Sequence, residues 1–160
     1  MQVNRILSRV VFCVSTVVVP FAVLPTQAWA SDEVATPTVI KGAKVITAAE
    51  GRKLLDSKTA VFVDTRSVVN FGKGHVPGAI TASYKEKSEK TEAFDAAVDS
   101  FELEKLPKDK AAAVVFYSDG PTGWKSYKAA VLAVKAGWKN VHYMRGGYTD
   151  WQAQGAPVER

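Results

Sequence analysis

Residues 114–126 read Val-Val-Phe-Tyr-Ser-Asp-Gly-Pro-Thr-Gly-Trp-Lys-Ser. The first four are apolar and rich in β-branched and aromatic side chains, which predicts a short strand buried on both faces. The residues from Ser118 onward include Asp, Gly and Pro, which favour turns, and a helical pattern begins near Ser126. The stretch therefore predicts a strand, a loop and a helix in succession.

Similar signals recur on both sides of this stretch. Compact apolar runs at 60–63 and 141–144 predict two more buried strands, and a shorter strand is expected around 44–46. Thr47 and Glu50 have the spacing of a capping box, which predicts a helix from there to about Ser57. Apolar residues at three-and-four spacing predict two further helices through Phe94, Ala97, Val98 and Phe101, and through Tyr127, Ala130, Val131 and Val134.

The order of these elements indicates the fold class. Strands that alternate with helices need crossover connections, which predict an α/β domain with a central parallel sheet and helices on both faces. Gly137 follows the last of the helical patterns and suits the left-handed position that ends a helix. The polar stretch 85–92 is expected to be a mobile surface loop.

The first thirty residues have the pattern of a secretory signal peptide. Arg5 and Arg9 precede an apolar stretch at 10–24, and Ala28-Trp29-Ala30 supplies the small residues of a cleavage site. We expect cleavage after Ala30, export to the periplasm, an N-terminal tail at 31–43 and one domain at 44–158. The alternative is a leader that is kept as a membrane anchor, which is the only membrane contact we expect.

Cysteine usage and charge exclude several classes of function. The only cysteine is Cys13, inside the leader, so the exported chain would have no disulfide, no thiolate metal site and no persulfide carrier. We predict no cofactor and no metal site. The formal net charge is +5, but Lys and Glu are interspersed at 85–87 and 102–105, which argues against a nucleic-acid partner.

Ligands of a parallel α/β sheet bind at the carboxyl ends of the strands. Three segments of this chain are predicted to lie there: 64–66, 118–125 and 145–147. If the domain has a site, these segments form it.

The order of the motifs resembles the rhodanese-like domain family over residues 44–158. The residues that carry this resemblance are Asp64-Thr65-Arg66, then Gly74-His75-Val76-Pro77-Gly78-Ala79-Ile80, then Gly137-Trp138, and finally Arg145-Gly146-Gly147-Tyr148 with Trp151, Gly155 and Pro157. The resemblance implies the same α/β fold. It also implies that His75 is a structural residue, and His142 is expected to be structural because it lies inside a predicted strand.

Active members of that family carry a nucleophilic cysteine in the loop after the central strand. The loop here resembles a longer variant with two cysteines, whose positions are occupied by Ser118 and Gly123. The resemblance implies that the loop keeps its other characteristic residues and lacks both sulfur atoms. The candidate ligand-binding residues are Ser118, Asp119, Gly120, Thr122, Gly123, Trp124, Lys125 and Ser126, with Asp64, Arg66 and Arg145 at the edge of the cleft.

Three functions are compatible with this pattern. The first is an exported, non-catalytic module that is related to sulfurtransferases and binds a small anion, another ligand or a periplasmic protein. The second is an enzyme that acts on sulfur or phosphate oxyanions, with Ser118 or Asp119 as the reacting group and Lys125 as the stabilising charge. The third is an accessory protein of a periplasmic redox or cofactor pathway. We favour the first, because a serine hydroxyl is a weak nucleophile without an adjacent base.

Overall fold

The structure is a computed structural model that describes residues 33–160. The predicted signal peptide and the alternative of a membrane anchor both lie outside the described residues. No helix in the described part is long and apolar enough to cross a membrane. The elements in chain order are β1 (Ala43–Ile46), α1 (Ala48–Asp56), β2 (Ala60–Asp64), α2 (Val68–Lys73), β3 (Ile80–Thr81), β4 (Ala113–Tyr117), α3 (Trp124–Lys135), β5 (Asn140–Met144) and α4 (Gly147–Ala153).

The five strands form one sheet in the order β1-β5-β4-β2-β3, and all four pairings are parallel. The central strand is β4, in which Phe116 pairs with Val63 on one side and with Tyr143 on the other. Both faces of this strand are fully buried, as its apolar run predicts. The expectation of a central parallel sheet is confirmed.

Alternate residues of β4 belong to two separate cores. Val114 and Phe116 pack on the side of α3, whereas Val115 and Tyr117 pack on the side of α1 and α4. The second core includes Trp151, whose ring centroid lies 5.9 Å from that of Phe62. Burial of each such side chain contributes roughly 1.5–3 kcal/mol relative to exposure. Helices therefore cover both faces, as predicted.

The predicted caps of two helices are present. Thr47 accepts from the backbone N–H of Glu50, and the Glu50 carboxylate accepts from the N–H of Thr47, so the capping box is complete. Gly137 has φ +98 directly after the C-cap of α3. This left-handed conformation is one that glycine adopts without a steric penalty.

The helix predicted through Phe94 and Phe101 is wrong. Residues 82–112 run from β3 to β4 as turns with a single 3-10 turn at Leu103–Lys105. The Asp95 carboxylate accepts from the N–H of Ala97, and an aspartate that bonds to the backbone in this way stabilises a turn in place of a helix. Phe94 is buried while Val98 is exposed, so the apolar residues do not form one stripe.

Part of the polar stretch 85–92, which we expected to be a mobile surface loop, is held by contacts with α3. Ser88 and Glu86 both bind Lys128 of α3, whose ammonium lies 2.8 Å from the Ser88 Oγ and 2.8 Å from the Glu86 Oε1. The Lys128 side chain is fully buried. This buried ion pair ties the polar stretch to the helix that follows the candidate loop.

Asp99 organises the same region from the other end of the connection. Its carboxylate accepts from the Tyr84 hydroxyl at 2.7 Å and from the Lys87 and Ser88 N–H groups at 2.6 and 2.7 Å. Burial by itself would raise the pKa of Asp99, but these hydrogen bonds and that of the Ser88 hydroxyl hold the pKa well below its ordinary value. Asp99 therefore stays ionised beside Lys128.

We predict that Lys128→Met lowers the free energy of unfolding by about 3 kcal/mol, because removal of one partner leaves the Glu86 carboxylate unpaired in a mostly buried position. Urea unfolding monitored by tryptophan fluorescence measures the change. The matched control is Lys135→Met on the same helix, where the lysine is exposed and a change within about 0.5 kcal/mol is expected. Equal effects of the two substitutions would contradict a structural role for the buried lysine.

Candidate functional site

The three segments predicted to meet at the carboxyl ends of the strands do meet. Thr65 donates to the Tyr117 carbonyl from its N–H at 3.1 Å and from its hydroxyl at 2.9 Å. Tyr148 and Thr149, at the start of α4, donate their N–H groups to the carbonyls of Ser118 and Asp119 at 2.8 and 2.9 Å. The segments that follow the two neighbouring strands, β2 and β5, therefore both hold the end of β4.

Gly147 makes this approach possible. It has φ +62, and a Cβ at this position would lie 2.5 Å from the Ser118 carbonyl oxygen. Any other residue would therefore push the start of α4 away from the loop. The close approach of the two backbones therefore explains why glycine stands at 147, in the Gly146-Gly147 pair that carried part of the family resemblance.

The candidate loop is a compact turn that leads into α3. The Gly123 N–H donates to the Gly120 carbonyl at 2.8 Å, and the helix begins at Trp124. The Ser126 hydroxyl donates to the Gly123 carbonyl at 3.0 Å. Because Ser126 is fully buried, it stabilises the turn and is not placed to touch a ligand.

Ser118 and Gly123, the two positions that correspond to cysteines in the resembled loop, are in direct contact. A Cβ added to Gly123 would lie 2.8 Å from the Ser118 Cβ, 3.1 Å from its Oγ and 2.8 Å from the Gly120 carbonyl oxygen. The loop is therefore packed closely enough that residue 123 has no room for a side chain unless the backbone moves.

Ser118 lies at the floor of a cleft of about 250 Å³. It is only 1% exposed, and among residues 33–160 its hydroxyl has no hydrogen-bond partner. Neither histidine is near enough to act as its base, since His75 contacts Phe71 and Glu159 and His142 contacts Asn140. The hydroxyl is therefore a free polar group without an activating base.

The walls of this cleft carry charges of both signs. Besides Ser118, the lining residues are Glu33, Glu86, Lys90, Asp119, Thr122, Gly123, Trp124 and Lys125. The Asp119 side chain is 64% exposed, and its nearest cation is Arg66, with the Arg66 Nη1 3.9 Å from the Asp119 Oδ1. Lys125 and Lys90 supply the positive charge. Six of the eight candidate loop residues, including Ser118, line this cleft. The other two, Gly120 and Ser126, belong to the turn.

Asp64 and Arg66 form a buried ion pair beneath the loop, where we had expected cleft-edge residues. The Arg66 guanidinium donates to both Asp64 oxygens and, at 2.7 Å, to the Gly74 carbonyl. It also lies 4.1 Å from the centroid of the Tyr148 ring. Burial opposes the charged form, but the hydrogen bonds and charge of Asp64 outweigh it, so the pKa of Arg66 is raised.

Arg66 also borders a second depression of about 320 Å³ on the other side of Asp119, with Lys73 and Tyr148 among its lining residues. Arg145 lines neither cleft. Its guanidinium donates to the Thr36 carbonyl at 2.9 and 3.1 Å. Of the three residues predicted at the cleft edge, only Arg66 therefore borders an open surface near the loop.

Sequence reasoning missed the part played by residues 33–36, which were predicted to belong to a tail. Thr36 is buried and donates its N–H and hydroxyl to the Pro121 carbonyl at 2.9 and 2.8 Å. The Val34 carbonyl accepts from the Trp124 indole at 2.7 Å, and the Glu33 carboxylate accepts from the Thr122 hydroxyl at 3.0 Å. This N-terminal clamp, residues 33–36, holds the outer side of the loop.

The clamp also explains the position of Trp124, which was predicted to be one of the ligand-binding residues of the loop. Its side chain is buried against Tyr127 with ring centroids 5.2 Å apart, and its indole N–H is used by Val34. Within residues 33–160 no group of three or more His, Cys, Asp or Glu side chains is placed to hold a metal ion. The arrangement offers hydrogen bonds and charge to a ligand.

Comparison with known proteins places these features in a family. The model of the rhodanese-like domain matches residues 47–154. The protein YibN of Escherichia coli K12 is 34% identical over 117 residues, which cover 73% of each chain. The thiosulfate sulfurtransferase GlpE of Pseudoalteromonas translucida is 31% identical over 110 residues, which cover 69% of this chain and 90% of that one.

Solved structures agree on the fold. The BH2092 protein of Bacillus halodurans superposes with a TM-score of 0.55 at 20% identity, over 74% of this chain and 78% of that one. The thiosulfate sulfurtransferase of Pseudomonas aeruginosa gives a TM-score of 0.54 at 20% identity, over 75% of this chain and 21% of that one. At this level of identity the likeness concerns the fold alone.

We predict that Gly123→Ala lowers the free energy of unfolding by about 1–3 kcal/mol, because the new methyl group would overlap the Gly120 carbonyl and the Ser118 side chain. The matched control is Gly72→Ala in α2, where an added Cβ meets nothing within 4 Å and a gain of about 0.5–1 kcal/mol is expected from helix propensity. Chemical denaturation of both variants measures the difference. A stable Gly123→Ala protein would show that the loop is looser than described.

Proposed function

The chain belongs to the rhodanese-like domain family, and from this premise we propose that it is an exported, non-catalytic member that binds a small anionic ligand through the loop 118–126. The family relates it to sulfurtransferases. The proposal is supported by Ser118, which lies at the floor of the cleft in the loop where active members of the family carry a cysteine.

The chemistry of sulfur transfer explains why the serine matters. A thiolate attacks the outer sulfur of the donor, a sulfur-sulfur bond to the donor breaks, and the protein keeps the sulfur as a persulfide. A hydroxyl has a far higher pKa than a thiol and forms no stable equivalent of the persulfide. A serine can act as a nucleophile when an adjacent base takes its proton, and within residues 33–160 no histidine contacts Ser118.

Binding does not need the sulfur. Within residues 33–160, the backbone N–H groups of Asp119 and Lys125, two residues that line the cleft, have no hydrogen-bond partner. Lys125 belongs to the first turn of α3, where the helix dipole favours negative charge. Lys125 and Lys90 add positive charge at the same cleft. These groups support the binding of an oxyanion above Ser118.

The N-terminal clamp favours a preformed site. Residues 33–36 bind Pro121, Thr122 and Trp124 by hydrogen bonds of 2.7–3.0 Å. A loop that is held on both sides loses little conformational freedom when a ligand binds. We therefore expect the loop to bind its ligand without a large rearrangement.

We predict that the purified protein has no thiosulfate:cyanide sulfurtransferase activity and that Ser118→Cys gains it. The residue already lies at the floor of the cleft, and unpaired N–H groups with a helix N-terminus lower the pKa of a thiol. Formation of thiocyanate measures the reaction. Ser118→Ala is the control that should stay inactive.

Three outcomes would contradict the proposal. Activity of the unaltered protein above a heat-treated control would show that the serine does not abolish catalysis. Turnover of a phosphate or sulfate ester that is lost in Asp119→Ala and Ser118→Ala would favour a hydrolytic enzyme. If Ser118→Cys gains no activity although it folds, the frame of the loop is not the one that the family uses.

We also predict export with removal of residues 1–30, because the leader combines two arginines, an apolar stretch and Ala28-Trp29-Ala30. Expression in a Gram-negative host, fractionation and N-terminal sequencing of the periplasmic protein should give Ser31 as the first residue. Arg5→Glu with Arg9→Glu is the matched variant, which should retain the protein in the cytoplasm. Recovery of the full-length chain in the membrane fraction would indicate an anchor instead.

A further inference from the structure

The cleft carries negative charges beside the groups that suit an oxyanion. The Glu33 carboxylate is bound, within the described residues, only to the neutral Thr122 hydroxyl, and Asp119 is largely exposed. Arg66, the nearest cation to Asp119, is already occupied by Asp64 at hydrogen-bond distance. Two carboxylates at the rim thus keep most of their negative charge beside the place where an oxyanion would bind.

Glu86 differs from these two acids. It lines the same cleft, but its carboxylate is paired with the buried Lys128. Lys128 also lies 3.8 Å from the ionised Asp99, so it offsets the charge of Glu86 only in part. The charges that remain free to meet a ligand are those of Lys90 and Lys125 on one side and of Glu33 and Asp119 on the other.

A polar group at the floor of the cleft is available for a hydrogen bond to a ligand. Ser118 is 1% exposed, it lines the cleft, and within residues 33–160 no group accepts from or donates to its hydroxyl. Buried polar groups are almost always hydrogen-bonded to protein, water or ligand. The hydroxyl can donate to an oxyanion that also meets the free N–H groups of the loop.

The volume limits the size of the ligand. The cleft has about 250 Å³, and a water molecule takes about 30 Å³ in the liquid. A ligand that fills it therefore has on the order of eight non-hydrogen atoms. At this size, a group bound to the loop and a group at the rim are separated by only a few bonds.

We infer that the cleft binds a small zwitterion, a molecule of amino-acid or aminosulfonic-acid type with an oxyanion and an ammonium group at its two ends. The oxyanion meets the Ser118 hydroxyl, the N–H groups of the loop and Lys125. The ammonium group meets Asp119 and Glu33. This inference rests on the proposed function, since it concerns the same loop, and it adds the cationic half of the ligand.

The test uses pairs of probes that differ only in the ammonium group. Taurine and isethionate are sulfonates with the same two-carbon spacer, and isethionate has a hydroxyl where taurine has its ammonium. Glycine and glycolate form the equivalent carboxylate pair. Titration of the ¹⁵N-labelled protein, followed by amide chemical shifts of residues 118–126, gives a dissociation constant for each probe.

We expect the zwitterion of at least one pair to bind about tenfold more tightly than its hydroxyl partner. Asp119→Asn should remove this preference while the hydroxyl probe binds equally well or better. Lys125→Met should weaken both members of the pair. Glu104→Gln, an exposed acid outside the cleft, is the control that should leave all four constants unchanged.

The failures of the two proposals are distinguishable. Equal binding of both members in both pairs, weakened by Lys125→Met, would overturn the zwitterion and leave an anion-binding loop. No shift of the loop amides with any of the four probes or with thiosulfate would overturn the proposed function together with the inference. A preference for the zwitterion that persists in Asp119→Asn and is lost in Glu33→Gln would still support it and assign the contact to the N-terminal clamp.

Discussion

The site depends on two backbone hydrogen bonds, from Tyr148 and Thr149 to the carbonyls of Ser118 and Asp119. They join the end of the central strand to the first turn of α4, and they exist because Gly147 has no Cβ. In a trans peptide unit the N–H points away from the carbonyl, so the N–H groups of Asp119 and Gly120 face the other way and have no partner within the described residues. The position of Ser118 thus depends on Gly147, much further along the chain.

Four of the five strands, all but the two-residue β3, and the helices α1 and α3 could be predicted from sequence because each depends on a local pattern. Residues 114–117 are apolar without interruption, and a strand that is buried on both faces requires such a run. The helix expected at 94–101 failed because its spacing counted apolar residues and ignored Asp95, whose carboxylate accepts from the N–H of Ala97 and stabilises a turn. Local competition of this kind is visible in the residue types but not in the periodicity.

The N-terminal clamp could not be predicted in this way. Thr36 contacts Pro121 and Tyr143, which are distant in sequence, and nothing in the residues around it is typical of a site. The same holds for Lys128, which looks like one polar residue of an amphipathic helix and is in fact fully buried. Contacts across the whole chain decide both cases. The loop itself was found from sequence, because its Gly, Pro, Trp, Lys and Ser residues are consecutive, but the burial of Asp64 and Arg66 beneath it was not.

The two replaced positions are physically coupled. In a disulfide the two Cβ atoms are usually 3.5–4.5 Å apart, whereas a Cβ on Gly123 would stand 2.8 Å from that of Ser118. The loop is therefore tighter than a pair of bonded cysteines permits, and the glycine allows this tightness. Once residue 118 no longer carries sulfur, no side chain is needed at 123, and closer packing stabilises the turn around the remaining hydroxyl. On the proposed function, the loop keeps a rigid floor of hydrogen-bond donors, and the charges of Asp119, Glu33, Lys125 and Lys90 at the rim select the ligand.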